Sequence, residues 1–204
     1  MLITIKAENL NKSFNKPVLK NLNFSINTGK AVAVTGPNGS GKSTLLEIIA
    51  GLKQPTKGAL VFELNNQKTG VTNIQNYIGF SSLRVNPYGE LSALENIEFT
   101  NNGNMTNTDF DQRAKELLTS FNLYNDRNKK VKFFSSGMKH RLRFILAILH
   151  DPHILILDEP GSNLDAAGKE TMYSYIKSVK KNKLIIIATN EEEEANLCDD
   201  RLKL

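Results

Sequence analysis

The sequence predicts a mixed α/β fold, in which a parallel-sheet core is combined with an antiparallel β part and an inserted helical subdomain. Three observations predict this fold. Short and almost wholly apolar strands at residues 31–35, 154–157 and 184–188 are typical of parallel strands buried on both faces. The chain begins with strands that alternate apolar and polar residues. Its middle part has helical periodicity over roughly 70 residues, which is long enough for a subdomain.

The first 35 residues are predicted to form strands of two kinds. Residues 2–10 and 22–26 alternate, with Asn15, Lys16 and Pro17 as a turn signal between them. This pattern favours antiparallel strands with one wet face. Residues 31–35 are almost entirely apolar and precede a glycine-rich turn, so we expect a buried strand there.

Helices and strands then follow in a defined order. We expect a first helix at residues 42–50, closed by Gly51, because glycine commonly ends a helix. Two further strands are predicted at residues 59–64 and 77–80, and three consecutive helices at residues 92–99, 109–121 and 138–150. A β–α–β order returns with the strand at 154–157, a helix at 166–180 and the strand at 184–188.

Length and composition limit the classes of protein that are possible. A chain of 204 residues suits one domain, with residues 1–81 and 151–204 as the α/β core and 82–150 as the helical subdomain. The net charge of +5 permits an acidic partner and demands none. The single cysteine, Cys198, excludes an internal disulfide and favours a reducing compartment. The longest apolar stretches are far below the roughly 20 residues that span a bilayer.

A glycine-rich loop between a buried strand and a helix predicts binding of ATP with Mg²⁺. It fits the pattern G-x-x-x-x-G-K-[ST] with the residues Gly36, Pro37, Asn38, Gly39, Ser40, Gly41, Lys42 and Ser43. The glycines let successive backbone N–H groups point at phosphate oxygens, and the helix dipole favours the same anion. We expect Lys42 to reach the β- and γ-phosphates, Ser43 to ligate Mg²⁺, and Thr44 to lie at the nucleotide. The alternative is a merely tight turn between strand and helix.

Two carboxylates follow the buried strand at residues 154–157. Asp158, at the carboxyl end of the strand, is predicted to hold the Mg²⁺ shell through water. Glu159 is predicted to polarise the water that attacks the γ-phosphate. Alone, the pair could be a helix N-cap or a solvated turn, but the phosphate loop favours the catalytic interpretation.

Residues 133–138, with the sequence Phe-Phe-Ser-Ser-Gly-Met, open the predicted helix that precedes this strand. The phosphate loop, Ser-Ser-Gly at a helix start and strand-Asp-Glu-Pro, in this order, resemble the ATP-binding subunit of an ABC (ATP-binding cassette) transporter over nearly the whole chain. The resemblance implies a P-loop NTPase core of the ABC ATPase type. The family signature is Leu-Ser-Gly-Gly-Gln, and residues 134–138 are a looser version of it. By the resemblance, Ser135 and Gly137 grip the γ-phosphate of ATP bound to a second copy. Ser135 alone could be just an N-cap.

The resemblance suggests roles for two further residues. Phe14 occupies the place of an aromatic that stacks on adenine, although a phenylalanine taken alone is more often part of a core. Asp165, in the segment 162–165, resembles the family's D-loop, which contacts the partner subunit. It could equally be the N-cap of the next helix.

Two positions depart from the family pattern. The family usually has a Gln after the strand that ends near Phe80, but residues 81–84 contain none, so that either Ser82 or Arg84 takes its place. The usual His after the last core strand is Asn190 here, which can donate a hydrogen bond to the γ-phosphate but carries no charge. We expect a slow ATPase. The acidic run at residues 191–194 is interpreted as a solvated helix start.

The resemblance implies an ATPase subunit that pairs face to face with a second copy as a homodimer, with two ATP molecules between them. Closure would drive a separate transmembrane transporter subunit docked on residues 82–150, so the chain would be cytoplasmic and peripheral on the cytoplasmic face of the membrane. No nucleic-acid partner is expected. Residues 90–96 suggest small bacterial subunits of the haem-exporter type. The alternatives are a regulatory nucleotide-binding module with weakened catalysis and a soluble ABC-type ATPase acting on ribosomes or DNA.

Overall fold

The computed structural model describes residues 1–101 and 107–204. Its strands are β1 (Ile3–Ser13), β2 (Pro17–Asn27), β3 (Ala31–Thr35), β4 (Lys57–Leu64), β5 (Gln67–Thr69), β6 (Ile78–Ser81), β7 (Ile154–Asp158), β8 (Leu184–Ala188) and β9 (Asp200–Lys203). Its α-helices are α1 (Lys42–Ile49), α2 (Val71–Ile74), α3 (Ala93–Phe99), α4 (Asn107–Ser120), α5 (Ser136–Ile148), α6 (Ala166–Val179) and α7 (Glu192–Ala195). Short 3-10 turns connect several of them.

The antiparallel part is a sheet with the strand order β2-β1-β4-β5. Its strands bury one face, since Ile3 and Ile5 of β1 and Phe62 of β4 are almost completely shielded from solvent. The register pairs Ile5 with Phe62, which places these large side chains side by side. The antiparallel strands predicted at residues 2–10 and 22–26 and the strand predicted at 59–64 are therefore confirmed, although β2 begins five residues earlier than predicted.

The parallel sheet has the strand order β6-β7-β8-β3-β9. The side chains of β3, β7 and β8 are buried along nearly their whole length, as expected for central strands covered by helices on both faces. One face packs in a cluster with α1, and the other packs with α5 and α6. The predicted mixed α/β architecture is confirmed. All strands of this sheet run in the same direction, so the predicted phosphate loop after β3, Asp158 at the end of β7 and Asn190 after β8 lie at one edge.

The middle of the chain contains the predicted helices. α3 begins one residue later than predicted because Ser92 caps it, forming a capping box with Glu95. α5 begins at Ser136, two residues earlier than predicted, since Ser135 is its N-cap. Residues 102–106, inside the predicted helical subdomain, lie outside the described residues. The division of the chain at residues 82 and 150 stays a prediction. Within the ranges that the structure describes, no helix is long and apolar enough to cross a membrane.

Candidate active site

The glycine-rich loop joins β3 to α1 in a tightly curled conformation. Gly36 and Gly41 have φ angles of 149° and 103°, in the region that only glycine enters easily. A Cβ atom on Gly41 would lie 2.8 Å from side-chain atoms of Val18 and Leu19. The loop thus needs glycine at this position both for its backbone angle and for the close approach of β2. The N-terminus of α1, with its unpaired backbone N–H groups, begins directly behind the loop.

The Lys42 side chain lies inside the curl of its own loop. It is only 6% exposed, and its Nζ donates to the carbonyl oxygen of Gly36 at 2.8 Å and to Oδ1 of Asn190 at 2.9 Å. A longer hydrogen bond of 3.4 Å goes to the carbonyl oxygen of Pro37. All three acceptors are neutral oxygens. A buried ammonium with neutral partners attracts an anion, because burial penalises a charge that has no opposite charge nearby.

Asn190 connects the last core strand to the loop. It follows β8 by two residues, and Thr189 between them donates its N–H to the carbonyl oxygen of Val34 in β3. The Asn190 amide accepts from Lys42 with its oxygen and donates with Nδ2 to Oδ1 of Asn38 at 2.6 Å. The structure thus brings together three predicted site residues that are up to 152 positions apart in the chain.

Asp158 and Glu159 lie at the end of β7, on the same edge of the sheet as the loop. Oδ2 of Asp158 accepts a hydrogen bond from the Ser82 hydroxyl at 3.1 Å. Glu159 has a φ of 51°, which is uncommon for a residue with a side chain, and its N–H donates to the carbonyl oxygen of Ala188 at 2.8 Å. The chain therefore turns sharply between the two carboxylates.

The donors available at this edge fit a magnesium ion that arrives with a nucleotide. The described ranges contain no group of three or more His, Cys, Asp or Glu residues able to hold a metal on its own. Ser43 and Asp158 offer only oxygen atoms, which Mg²⁺ prefers. Mg²⁺ is usually held by one or two protein ligands together with waters and substrate phosphates. A shared metal–nucleotide site suits this donor set better than a resident metal site.

Phe14 is at the turn between β1 and β2 and is 56% exposed. Two ammonium groups flank its ring, with Nζ of Lys12 at 5.1 Å and Nζ of Lys53 at 5.4 Å from the centroid. The alternative interpretation as a core residue is wrong, because more than half of the side chain faces solvent. Since β2 also touches Gly41, the aromatic ring belongs to a hairpin that lies against the phosphate loop. Stacking on adenine stays a prediction.

Ser135, Gly137 and Asp165 form a second group around the starts of α5 and α6. The Ser135 hydroxyl accepts from the N–H of Met138 at 3.2 Å, and Oδ1 of Asp165 accepts from the N–H of Gly168 at 2.9 Å. Both residues therefore act as N-caps of their own helices. A Cβ atom on Gly137 would lie 3.1 Å from the carbonyl oxygen of Asn163, so the two segments are neighbours. The roles of these residues across a dimer stay predictions.

Ser82 and Arg84, the two candidates for the place of the missing Gln, have different hydrogen-bond partners. Ser82 is 2% exposed and donates to Asp158, whereas the Arg84 guanidinium turns away to Oε1 of Glu47 at 3.1 Å. Glu47 lies in α1 and is also paired with Lys53 at 2.7 Å. Of the two candidates that the sequence offered, Ser82 is the one at the predicted metal ligand. The sequence pattern gave no sign of Glu47.

The acidic run contains one residue that the sequence interpretation placed wrongly. Glu191 to Glu193 are exposed as expected, but Glu194 is only 1% exposed. Its Oε1 accepts from the N–H of Gly161 at 2.6 Å and from the Tyr173 hydroxyl at 3.2 Å. Burial raises the pKa of Glu194 above its usual range. This carboxyl group ties the segment after Glu159 to the segment after Asn190.

Comparison with known proteins gives a consistent result. The sequence profile of the family described as "ABC transporter" matches residues 19–162. The spermidine/putrescine import ATP-binding protein PotA of Legionella pneumophila is 33% identical over 208 residues, covering 97% of this chain and 55% of its own length. The lantibiotic transport ATP-binding protein SrtF of Streptococcus pyogenes is 34% identical over 188 residues, covering 91% of this chain and 79% of its own. The chain thus spans little more than half the length of PotA.

Two solved structures of the cassette MJ0796 are similar to this chain in fold. The dimeric structure of this bacterial ABC transporter cassette has a TM-score of 0.86 at 31% identity, over 98% of this chain and 94% of that one. A dimeric post-hydrolysis state of the same cassette, bound to ADP and Pi, has a TM-score of 0.87 at 30% identity over the same shares of the two chains. The similarity therefore covers the core, the antiparallel part and the helices of the middle of the chain.

Proposed function

Because the chain belongs to the ABC transporter family and has the fold of its ATP-binding cassettes, we propose that it binds and hydrolyses ATP to power a separate transmembrane partner. The observation that carries the proposal is the buried Lys42 ammonium. Lys42 lies inside the glycine-rich loop, where the acceptors of its hydrogen bonds are all neutral. The loop is at the sheet edge where β7 ends with Asp158 and where Glu159 follows. This edge combines a phosphate site, oxygen ligands for Mg²⁺ and a carboxylate base.

Each residue has a defined part in nucleotide binding. The backbone N–H groups of the loop at residues 38–43 surround the phosphates, and Lys42 moves its hydrogen bonds from Gly36 and Asn190 to phosphate oxygens. Ser43 and Asp158 are the chain's contributions to the Mg²⁺ shell, and Thr44 lies beside the phosphates. Mg²⁺ neutralises charge on the β- and γ-phosphate oxygens when it is bound. The exposed Phe14 ring stacks on the adenine.

Hydrolysis depends on Glu159 and Asn190. Glu159 accepts the proton of the attacking water, and the sharp turn after Asp158 separates it from the metal ligand. Asn190 donates from Nδ2 to the γ-phosphate, in place of its present bond to Asn38. An amide carries no positive charge, so we expect less stabilisation of the transition state and a slow reaction.

A second copy of the chain completes the site. Ser135 is exposed at the N-terminus of α5, where a hydroxyl and free N–H groups suit a phosphate. We propose that Ser135 and Gly137 meet the γ-phosphate of ATP held by the opposite copy. Asp165, beside them, contacts that copy. The related cassette has been solved as a dimer, which supports the pairing of two copies.

The transmembrane partner is proposed to dock between α3, α5 and the segment after β6. A groove of about 320 Å³ lies there. Its lining includes Val85, Tyr88 and Phe99, which are 46%, 58% and 67% exposed. Clustered exposed apolar side chains often mark a protein interface. We propose that this docking holds the chain at the cytoplasmic face of the membrane.

Steady-state ATP turnover with the membrane partner tests the proposal. We expect Glu159→Gln to bind Mg-ATP like the wild type and to lose turnover by at least about 100-fold, because the general base is removed. Lys42→Ala should weaken binding itself, measured by calorimetry. If neither the wild type nor Glu159→Gln shows turnover above background, the chain is not an ATPase, and equal turnover above background would show that Glu159 is not the base. If Lys42→Ala also binds Mg-ATP normally, the phosphate site is wrong.

A regulatory nucleotide-binding module is the second candidate function. Asn190 favours it, because the family's usual titratable side chain is missing at this point. Its expected signature is Mg-ATP binding by the wild type with no turnover above that of Glu159→Gln, with or without the partner. Turnover that requires Glu159 would exclude this candidate.

A further inference from the structure

Ser82 is buried at a position where the chain departs from the family pattern. It directly follows β6, which runs parallel to β7 and pairs Ser81 with Leu157. The residues that follow this pair, Ser82 and Asp158, therefore lie side by side. The Ser82 hydroxyl donates to Oδ2 of Asp158 at 3.1 Å, and the residue is 2% exposed. Because the Ser82 side chain is so well buried, we expect it to act on the group that it contacts, the Asp158 carboxylate.

We propose that Ser82 is a positioning residue for the metal–nucleotide site, which holds the Asp158 carboxylate in the orientation that Mg²⁺ requires. The inference rests on the proposed function, since it assumes that the chain binds Mg-ATP. Hydrogen bonds from a second residue commonly orient a carboxylate that ligates a metal, and they affect metal affinity strongly. Ser82 acts through Asp158 and has no contact of its own with the phosphates.

The direction of the hydrogen bond is determined by a second contact of the same hydroxyl. The backbone N–H of Arg84 donates to Oγ of Ser82 at 3.3 Å. The Ser82 oxygen is thus an acceptor from Arg84, and its proton is available for the carboxylate. An ionised Asp158 can only accept. Since Ser82 bonds to Oδ2, the other carboxylate oxygen of Asp158 is the one that we assign to the metal shell.

The segment that carries Ser82 is also fastened to the helix behind the phosphate loop. Arg84 pairs with Oε1 of Glu47 at 3.1 Å, and Glu47 lies one helical turn beyond Ser43 in α1. The same short segment therefore contacts the two elements that carry the proposed metal ligands, through Ser82 to β7 and through Arg84 to α1. This arrangement keeps Ser82 in place when the nucleotide binds.

Calorimetric titration separates the effect of Ser82 on the metal from its effect on the fold. Each protein is titrated with ATP once in excess Mg²⁺ and once in EDTA, in a Glu159→Gln background so that no ATP is consumed. We expect Ser82→Ala to weaken Mg-ATP binding by about 10-fold and to leave ATP binding in EDTA unchanged. Ser82→Thr keeps a hydroxyl and should bind Mg-ATP within about 3-fold of the parent. Ser81→Ala, one residue earlier and also buried, is the matched control and should show no metal-specific change.

The possible results decide between the inference and its alternatives. Affinities of Ser82→Ala equal to those of the parent in both buffers would overturn the inference while leaving the proposed function intact. An equal loss in Mg²⁺ and in EDTA would overturn it too, since the hydroxyl would then be only structural. If Ser82→Ala does not fold, Ser82→Cys replaces it and has to show the metal-specific loss. Absence of binding by the parent in both buffers would instead refute the proposed function.

Discussion

Replacing Asn190 by histidine tests how much of the expected slowness comes from a missing charge. The present amide accepts from Lys42 at 2.9 Å and donates to Asn38 at 2.6 Å. A neutral imidazole can also accept with one nitrogen and donate with the other, so the change keeps the pattern of contacts. What it adds is a side chain that can carry a positive charge beside the γ-phosphate.

The size of the effect follows from the strength of the new contact. A hydrogen bond to a phosphate is stronger by about 1–3 kcal/mol when its donor is charged. Asn190 is exposed in the free chain, so solvent screening favours the lower part of that range. A gain of about 1–2 kcal/mol in the transition state corresponds to a rate about 5- to 30-fold higher than that of the wild type.

The rate gain of Asn190→His should decrease as the pH rises. A free imidazole has a pKa of about 6.5, which Lys42 lowers and the more highly charged phosphate raises. We expect the phosphate to dominate, so that the charged form persists above pH 6.5. The extra rate is then present at low pH and is lost as the pH rises through the raised pKa. The wild type has no titrating group at this position and should lack this descending limb.

Phosphate release at saturating Mg-ATP between pH 6 and pH 9 measures both effects. The comparison needs the wild type, Asn190→His and Asn190→Ala, each with the membrane partner. Asn190→Ala should be slower than the wild type, because it removes the donor to the γ-phosphate. If all three proteins had the same rate at every pH, the side chain at position 190 would have no part in the reaction and the reasoning would be refuted.

Three further predictions concern the phosphate loop, the stability of the fold and the stacking of Phe14 on adenine. Gly41→Ala should lower the free energy of unfolding in urea by at least about 2 kcal/mol more than Gly39→Ala, because both glycines have positive φ but only Gly41 has side chains 2.8 Å from the added Cβ. Burial lowers the pKa of His140 to about 4. Below about pH 6.5 the unfolded chain therefore binds a proton at this residue, whereas the folded chain does not. His140 should therefore contribute about 2 kcal/mol to a fall in the free energy of unfolding from pH 7 to pH 5, and His140→Gln should reduce the slope by that amount; an unchanged slope would contradict this. Phe14→Ala should weaken ATP binding about 5- to 100-fold in calorimetry while Phe14→Tyr does not, and no weakening would exclude stacking.

The central strands and the phosphate loop could be predicted because their signals are local. A short apolar run such as β3 is typical of a strand buried on both faces, and the glycine pattern that follows is specific by its spacing. The edge strands β5 and β9 have 3 and 4 residues, too few for a periodic signal. They are formed because a neighbouring strand supplies hydrogen-bond partners, and such partners are not visible in a local pattern.

The members of the site were predictable, but most of their partners were not. Lys42 and Asn190 are 148 positions apart in the chain. They meet because β3 and β8, the strands that precede them, are neighbours in the sheet. The choice between Ser82 and Arg84 depended on side-chain length. The short hydroxyl reaches Asp158 from the neighbouring strand, while the long guanidinium extends to α1.

The two departures from the family pattern both place neutral side chains beside charged groups of the site. Ser82 and Asn190 are both neutral, and each makes a hydrogen bond to a charged group of the site, to Asp158 and to Lys42. Neither adds positive charge, so Lys42 is the chain's own proposed cation against a nucleotide with several negative charges. The remaining compensation is proposed to come from the loop N–H groups and the α1 N-terminus of the same copy, from Mg²⁺, and from the helix N-terminus at Ser135 of a second copy. Turnover per subunit should therefore rise steeply with protein concentration in the range where dimers form, whereas a rate independent of concentration in dilute solution would show that one copy suffices.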